Sequence, residues 1–277
     1  MRREAGGGGA ALIGWLIVCY AFLYAPIGFL IVFSFNDSRL VTGWSGFSTR
    51  WYAALWHDQA LIDATFLSLR IAAVSASIAC VVGAAAGFVL VRFERFRARG
   101  LFEAALAAPL VMPEVITGLS LLLFFVTLEQ LTGWPAGRGA GTVTLAHASV
   151  SVAYVAVVVR ARLADAGVAL EQAAMDLYAP PWKAFAVITL PLMAPALVSG
   201  WLLAFTLSMD DVVVASFTSG PGASTLPMVV FSATRLGVTP EIYALATTIV
   251  AVVAMGLLAV SLIWRSGGFR ARRARWW

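Results

Sequence analysis

The sequence predicts an all-α membrane protein of six transmembrane helices with both termini in the cytoplasm. Three observations carry this. First, of 277 residues, 61% are hydrophobic and only 12% are charged, about half the charged share of a soluble domain. Second, the apolar residues gather into six stretches, near 11–34, 65–91, 101–127, 142–161, 187–209 and 242–264. Each is close to the roughly 20 residues that an apolar helix needs to cross a bilayer. Third, the basic residues divide unequally between the loops on the two sides.

The first stretch follows MRREAGGGGA and runs too long for the apolar core of a secretory signal, so it reads as a retained first span. Residues 1–10 read as a cytoplasmic tail, 11–265 as the transmembrane domain and 266–277 as a basic cytoplasmic tail. With the N-terminus in the cytoplasm, that side holds Arg2, Arg3, Arg92, Arg95, Arg97, Arg99, Arg160, Arg162, Lys183, Arg265, Arg270, Arg272, Arg273 and Arg275. The other side holds Arg39, Arg50, Arg70, Arg138 and Arg235. The excess of arginine and lysine on cytoplasmic loops sets this orientation. Net charge is +5, and its placement beside apolar stretches speaks for membrane lipid rather than nucleic acid. Cys19 and Cys80 fall inside apolar stretches and read as small buried hydrophobes. His57 and His147 are too few for a metal site, and none is expected. His147 and Arg70, near the outer ends of their stretches, are explained by snorkelling. Glu103 suits a helix N-terminus.

The outward loops are 35–64, 128–141 and 210–241. The first carries Trp44, Phe47, Trp51, Tyr52 and Trp56, either an interfacial aromatic belt or a surface for an extracytoplasmic partner. The third stretch holds Pro109 and Pro113 one turn apart, so a kinked or broken helix is expected there. Glu114 follows directly, and a carboxylate inside the bilayer costs on the order of 3 kcal/mol unless it faces water or a partner. Lining a cavity is the functional reading. Asp210 and Asp211 interrupt the outer end of the fifth stretch. Neighbouring helical residues do not share a face, so one acid is expected to meet a cation. The other is expected to cap or pair, with Arg235 as a candidate. Together the three acids suggest a two-stage cation path, from Asp210 or Asp211 to Glu114.

Between the fourth and fifth stretches lies EQAAMDLYAPPWKAFAVITLP, residues 171–191. Alanine and leucine favour helix. Ala179-Pro180-Pro181 interrupts it, and Pro181 can open a second helix. Helix, elbow, helix is therefore expected. Glu171 is expected to be solvent-exposed and dispensable for folding. The Glu171-Gln172-Ala173-Ala174 start, followed by Ile188, Leu190 and Pro191, resembles the EAA loop of bacterial ABC-importer permeases. FNDSRLVT, STRWY, APLVMPEVITGLSLLL, ITLPLMAPALVSGWLLAFTLSMDDVVVASF, SGPGASTLPM and PEIYALAT extend the resemblance to the spermidine/putrescine permeases.

That resemblance implies a type I ABC importer permease fold (MetI-like), with its core about 64–262 and the coupling loop at 163–186. It implies that Glu171, Ala173, Ala174, Asp176, Tyr178 and Pro191 meet an ATPase. Tyr178 stands where the family pattern has glycine, which leaves the elbow geometry open between a different helix ending and a strained one. It further implies a second homologous permease, two ATPase subunits, a periplasmic polyamine-binding protein and a bacterial inner membrane. No cofactor is expected on this chain; ATP and magnesium belong to the ATPase, since no G-x-x-x-x-G-K-[ST] loop occurs here. The alternatives are an ABC permease for another small solute, an ion-coupled carrier or an intramembrane enzyme. The loop argues against the carrier. No serine–histidine or paired-aspartate arrangement supports the enzyme.

Overall fold

The computed structural model describes residues 6–38, 43–93, 95–236 and 239–271. Arg2, Arg3, Arg39, Arg272, Arg273 and Arg275 lie outside the described residues. The chain divides into two compact units, residues 60–232 and residues 1–59 with 233–277. Twelve α-helices are described: α1 (Gly6–Phe33), α2 (Arg50–His57), α3 (Gln59–Arg92), α4 (Arg99–Val111), α5 (Glu114–Thr132), α6 (Ala140–Ala166), α7 (Ala169–Asp176), α8 (Pro181–Ala184), α9 (Leu190–Asp210), α10 (Val213–Thr218), α11 (Leu226–Leu236) and α12 (Pro240–Ala271). A π-helical segment, Phe185–Thr189, joins α8 to α9. Among the described residues, five helices are long and apolar enough to cross a membrane: Leu12–Phe33, Gln59–Arg92, Glu114–Thr132, Ala140–Ala166 and Pro181–Asp210. A shorter apolar helix spans Pro240–Gly256. Helix α1 starts at Gly6 and α12 runs to Ala271, so both reach into the stretches read as tails.

The stretch 101–127 is not one helix. Met112 adopts φ −74° and ψ 137°, and a new helix starts at Glu114. Pro113 explains the break: its ring excludes the α region for Met112 and it brings no N–H. Pro109 stays inside α4 and does not break it. The break sets Glu114 on the first turn of α5, where a helix N-terminus favours an acid.

In the unit of residues 60–232, α6 is central. Val143, Val155, Val159 and Leu163 on α6 are fully buried. Val155, Val159 and Leu163 share a core with Ala76 and Ala79 of α3 and Met193, Ala196 and Ala204 of α9. Small residues dominate because helices in lipid gain by close backbone approach and dispersion contacts. Gly83 shows how close α3 and α6 come. A Cβ at Gly83 would stand 2.7 Å from Val155 Cβ and 2.9 Å from the Val152 carbonyl oxygen. Gly83→Ala is therefore expected to force the helices apart and cost about 1–3 kcal/mol, as overpacking does. A lowered unfolding temperature of the chain in detergent would show it.

In the other unit, Asn36 organises the loop after α1. Its side-chain amide donates to the Gly43 carbonyl at 2.7 Å, and its Oδ1 accepts from Ser45 N–H at 2.9 Å. Trp51 is buried, with its indole N–H donating to the Asn36 carbonyl at 2.6 Å. Trp51 is thus a core residue, not part of an aromatic belt. Trp44, Phe47 and Trp56 are exposed.

Candidate functional site

Two places in the unit of residues 60–232 carry the chemistry, one at each end of α9. At the N-terminal end, the expected helix–elbow–helix is present as α7, residues 177–180 and α8. The elbow closes as a Schellman motif: Tyr178 N–H donates to Met175 O at 2.9 Å and Ala179 N–H to Ala174 O at 3.0 Å. Tyr178 is the left-handed residue, with φ +60°. Of the two geometries left open, this is the strained one. The motif also explains why glycine suits this position: a Cβ in that region costs roughly 1–2 kcal/mol. The Tyr178 ring is 96% exposed, so the fold gains nothing from it within this chain. Tyr178→Gly is expected to stabilise the elbow by up to about 1 kcal/mol, part of the relief being offset by a freer unfolded chain. Slower amide exchange across 171–184 would report it.

Glu171 does not lie free in solvent. Its carboxylate holds Arg92, at the end of α3, through Nη2–Oε1 at 2.7 Å and Nε–Oε2 at 3.0 Å. Thr189 Oγ1, in the π segment, donates to Glu171 Oε1 at 2.7 Å. Arg92 also donates to the Gly167 carbonyl at 2.9 Å. The side chains of Arg92 and Glu171 are 9% and 15% exposed. One carboxylate therefore ties α3, α7 and the base of α9 together, and the expectation that Glu171 is solvent-exposed is corrected. The π segment has a local cause. Leu190 N–H bonds back five residues to Phe185 O. This wider turn makes room before Pro191, whose ring would otherwise press on a carbonyl one turn earlier. Ala173, Asp176 and Pro191 are exposed and Ala174 is half-buried. With Leu177, Tyr178 and Trp182, at 82%, 96% and 72% exposure, the loop presents an apolar tip.

At the C-terminal end of α9 is a cavity of about 480 Å³. Glu114, Asp210 and Asp211 all line it, with Thr117 and Tyr154 among its polar neighbours. The acids expected at two stages of a path thus share one chamber. The break at Pro113 and the end of α9 bring the three acids there. The two aspartates are not equivalent. Asp211 Oδ1 accepts the Val214 N–H at 2.9 Å, at the start of α10. Its Oδ2 lies 3.5 Å from His147 Nε2. Asp211 is the acid that caps, and His147 is its neighbour. Asp210 and Glu114 are exposed to the cavity and make no hydrogen bond or ion pair among the described residues.

Sequence reasoning missed His147. It is 3% exposed and its Nδ1 sits 2.7 Å from Ser208 Oγ. The available signal was spacing: from its start at Ala140, α6 has no other titratable residue before Tyr154, seven residues after His147.

Apolar helices around an acid-lined chamber, with a projecting two-helix loop at the opposite end of α9, fit a membrane permease. The comparisons agree. The chain is 55% identical over 258 residues to the putrescine transport system permease protein PotI of Escherichia coli K12, covering 93% of this chain and 92% of that one. It is 38% identical over 253 residues to the spermidine/putrescine transport system permease protein PotC of the same strain, covering 91% and 93%. The fold matches a chain of a bacterial ABC transporter involved in the import of the acidic polysaccharide alginate, at TM-score 0.68 and 15% identity over 97% and 98% of the two chains. No family model matches. The chain belongs to the permease family of the spermidine/putrescine transport systems.

Proposed function

We propose that this chain is the membrane-spanning permease subunit of an ATP-driven importer of polyamines, with putrescine as substrate. The observation that carries the reading is the convergence of Glu114, Asp210 and Asp211 on one cavity. A diamine is a flexible dication, and each ammonium that leaves water needs a carboxylate, a carbonyl or an aromatic face. Two unpartnered carboxylates and a held third supply that, and they disfavour an anionic solute. The 55% identity to a putrescine permease supports the same choice.

In this reading the chain has six spans, both termini in the cytoplasm and its place in a bacterial inner membrane. It forms half of the path, and a second homologous permease forms the other half. A periplasmic polyamine-binding protein delivers substrate. Two ATPase subunits, which bind the ATP and magnesium, receive the exposed tip formed by Leu177, Tyr178 and Trp182, positioned by Glu171. This chain itself catalyses nothing.

Deleting the chain from its host and measuring uptake of radiolabelled putrescine tests the substrate. Energy-dependent uptake is expected to vanish, to return with the plasmid-borne chain, and to be competed by spermidine. Intact putrescine uptake, with loss of uptake of another solute, would overturn the polyamine reading and leave family membership standing.

A further inference from the structure

Asp211 accepts the Val214 N–H on Oδ1, and His147 faces its other oxygen. The imidazole is buried inside α6, with its side chain 2% exposed. Ser208 Oγ of α9 lies 2.7 Å from its Nδ1. Ser75 Oγ of α3 lies 3.3 Å from Ser208 Oγ. Nε2 faces Asp211 Oδ2 at 3.5 Å and has no hydrogen-bond partner. These contacts select a tautomer. With a proton on Nδ1, the bare Nε2 lone pair would face a carboxylate in a buried place. With Ser208 donating to Nδ1, Nε2 carries the proton and points it at Asp211. Donation then runs from Ser208 to His147, whose own N–H points on toward Asp211.

The charge consequence is specific. An arginine or lysine in place of His147 would cancel the charge of Asp211. A neutral imidazole that points its N–H at Oδ2 from 3.5 Å, with the Val214 N–H on Oδ1, orients the carboxylate and leaves its charge intact. Oδ2 retains a second lone pair, and Asp211 lines the cavity. We propose that His147 is a positioning residue: it holds Asp211 oriented and anionic for an alkylammonium group in the cavity, beside the unpartnered Asp210. This rests on the reading of the cavity as a polyamine path.

Two substitutions separate the ends of the ring. His147→Gln can place an amide N–H near the Nε2 position and lose Ser208. His147→Asn can keep Ser208 and lose Asp211. Putrescine uptake by proteoliposomes of the complete transporter, at equal amounts of assembled complex, is expected to stay within about twofold of the parent for Gln. For Asn it is expected to fall about tenfold, as loss of one polar contact to a charged group would. Asn equal to Gln, or better, overturns the role. Should neither variant assemble, the parent complex remains a test, with this chain alone carrying 15N-histidine. The chain has two histidines, and His57→Gln removes the other signal. A protonated Nε2 whose signal moves on adding putrescine is expected, with no movement in Asp211→Asn. A bare Nε2, or a signal indifferent to putrescine, overturns the proposal. A parent complex that imports no putrescine defeats the polyamine reading instead, while the tautomer is still read without substrate.

Discussion

Glu171→Ala is expected to unlock the loop between α6 and α9 and to abolish transport. The substitution leaves the Arg92 guanidinium, 9% exposed, without its carboxylate, and Thr189 Oγ1 without its acceptor. Removing one partner of a buried pair costs about 3 kcal/mol or more, because the remaining charge has lost its compensation. That cost falls on a short helix that packs mainly on α8 and the π segment, so local opening of 169–189 is the expected outcome. Hydrogen exchange across that segment should accelerate, while the α3–α6–α9 core keeps its protection. Substrate-stimulated ATP hydrolysis by the assembled transporter should be lost, because the tip at Leu177, Tyr178 and Trp182 is no longer presented. Arg92→Ala should give the same phenotype, and the double variant should be little worse than either single one, since residues of one network are not additive. Unchanged exchange in Glu171→Ala would sink the stapling role. Unchanged exchange with lost coupling would instead mean that Glu171 acts directly on the ATPase.

The acids of the cavity should separate into two kinds. Asp210→Asn and Glu114→Gln remove charge and keep shape, and neither acid makes a hydrogen bond among the described residues. Each is expected to leave thermal stability unchanged and to lower putrescine uptake at least about tenfold, as loss of one ammonium–carboxylate contact would. Asp211→Ala should differ. It removes the acceptor for the Val214 N–H and the neighbour of His147, so a stability loss of about 1 kcal/mol or more is expected from the cap alone. Asp210→Ala should show no such loss. Thermal unfolding of the detergent-purified chain, run beside the uptake assay, distinguishes the two. Equal stability of Asp210→Ala and Asp211→Ala would contradict the assignment of Asp211 as the acid that caps α10. Unaltered uptake in all charge-removal variants would leave the polyamine reading resting on family membership.

The all-α class and the approximate positions of the apolar helices were legible in the sequence, because lipid requires about 20 apolar residues with every backbone group bonded inside its own helix. The proline effects were legible for the same kind of local reason. Pro113 ends α4 and Pro181 opens α8 whatever surrounds them. The candidate acids were legible too, since a carboxylate in an apolar stretch needs an explanation on its own. What the tertiary structure alone decided is who meets whom. Arg92 and Glu171 are 79 residues apart in sequence, and His147 and Ser208 are 61 apart. No helical period links such pairs, so Glu171 read as exposed and His147 as a snorkelling edge residue until α3, α6 and α9 packed together. The single chamber for Glu114, Asp210 and Asp211 is likewise a product of packing: α5 and α10 must meet for the break after α4 to face the end of α9. Local sequence determines where a helix can run and where it must stop. Only the close approach of helices, permitted by residues such as Gly83, determines which buried polar groups find partners and which remain free for a ligand.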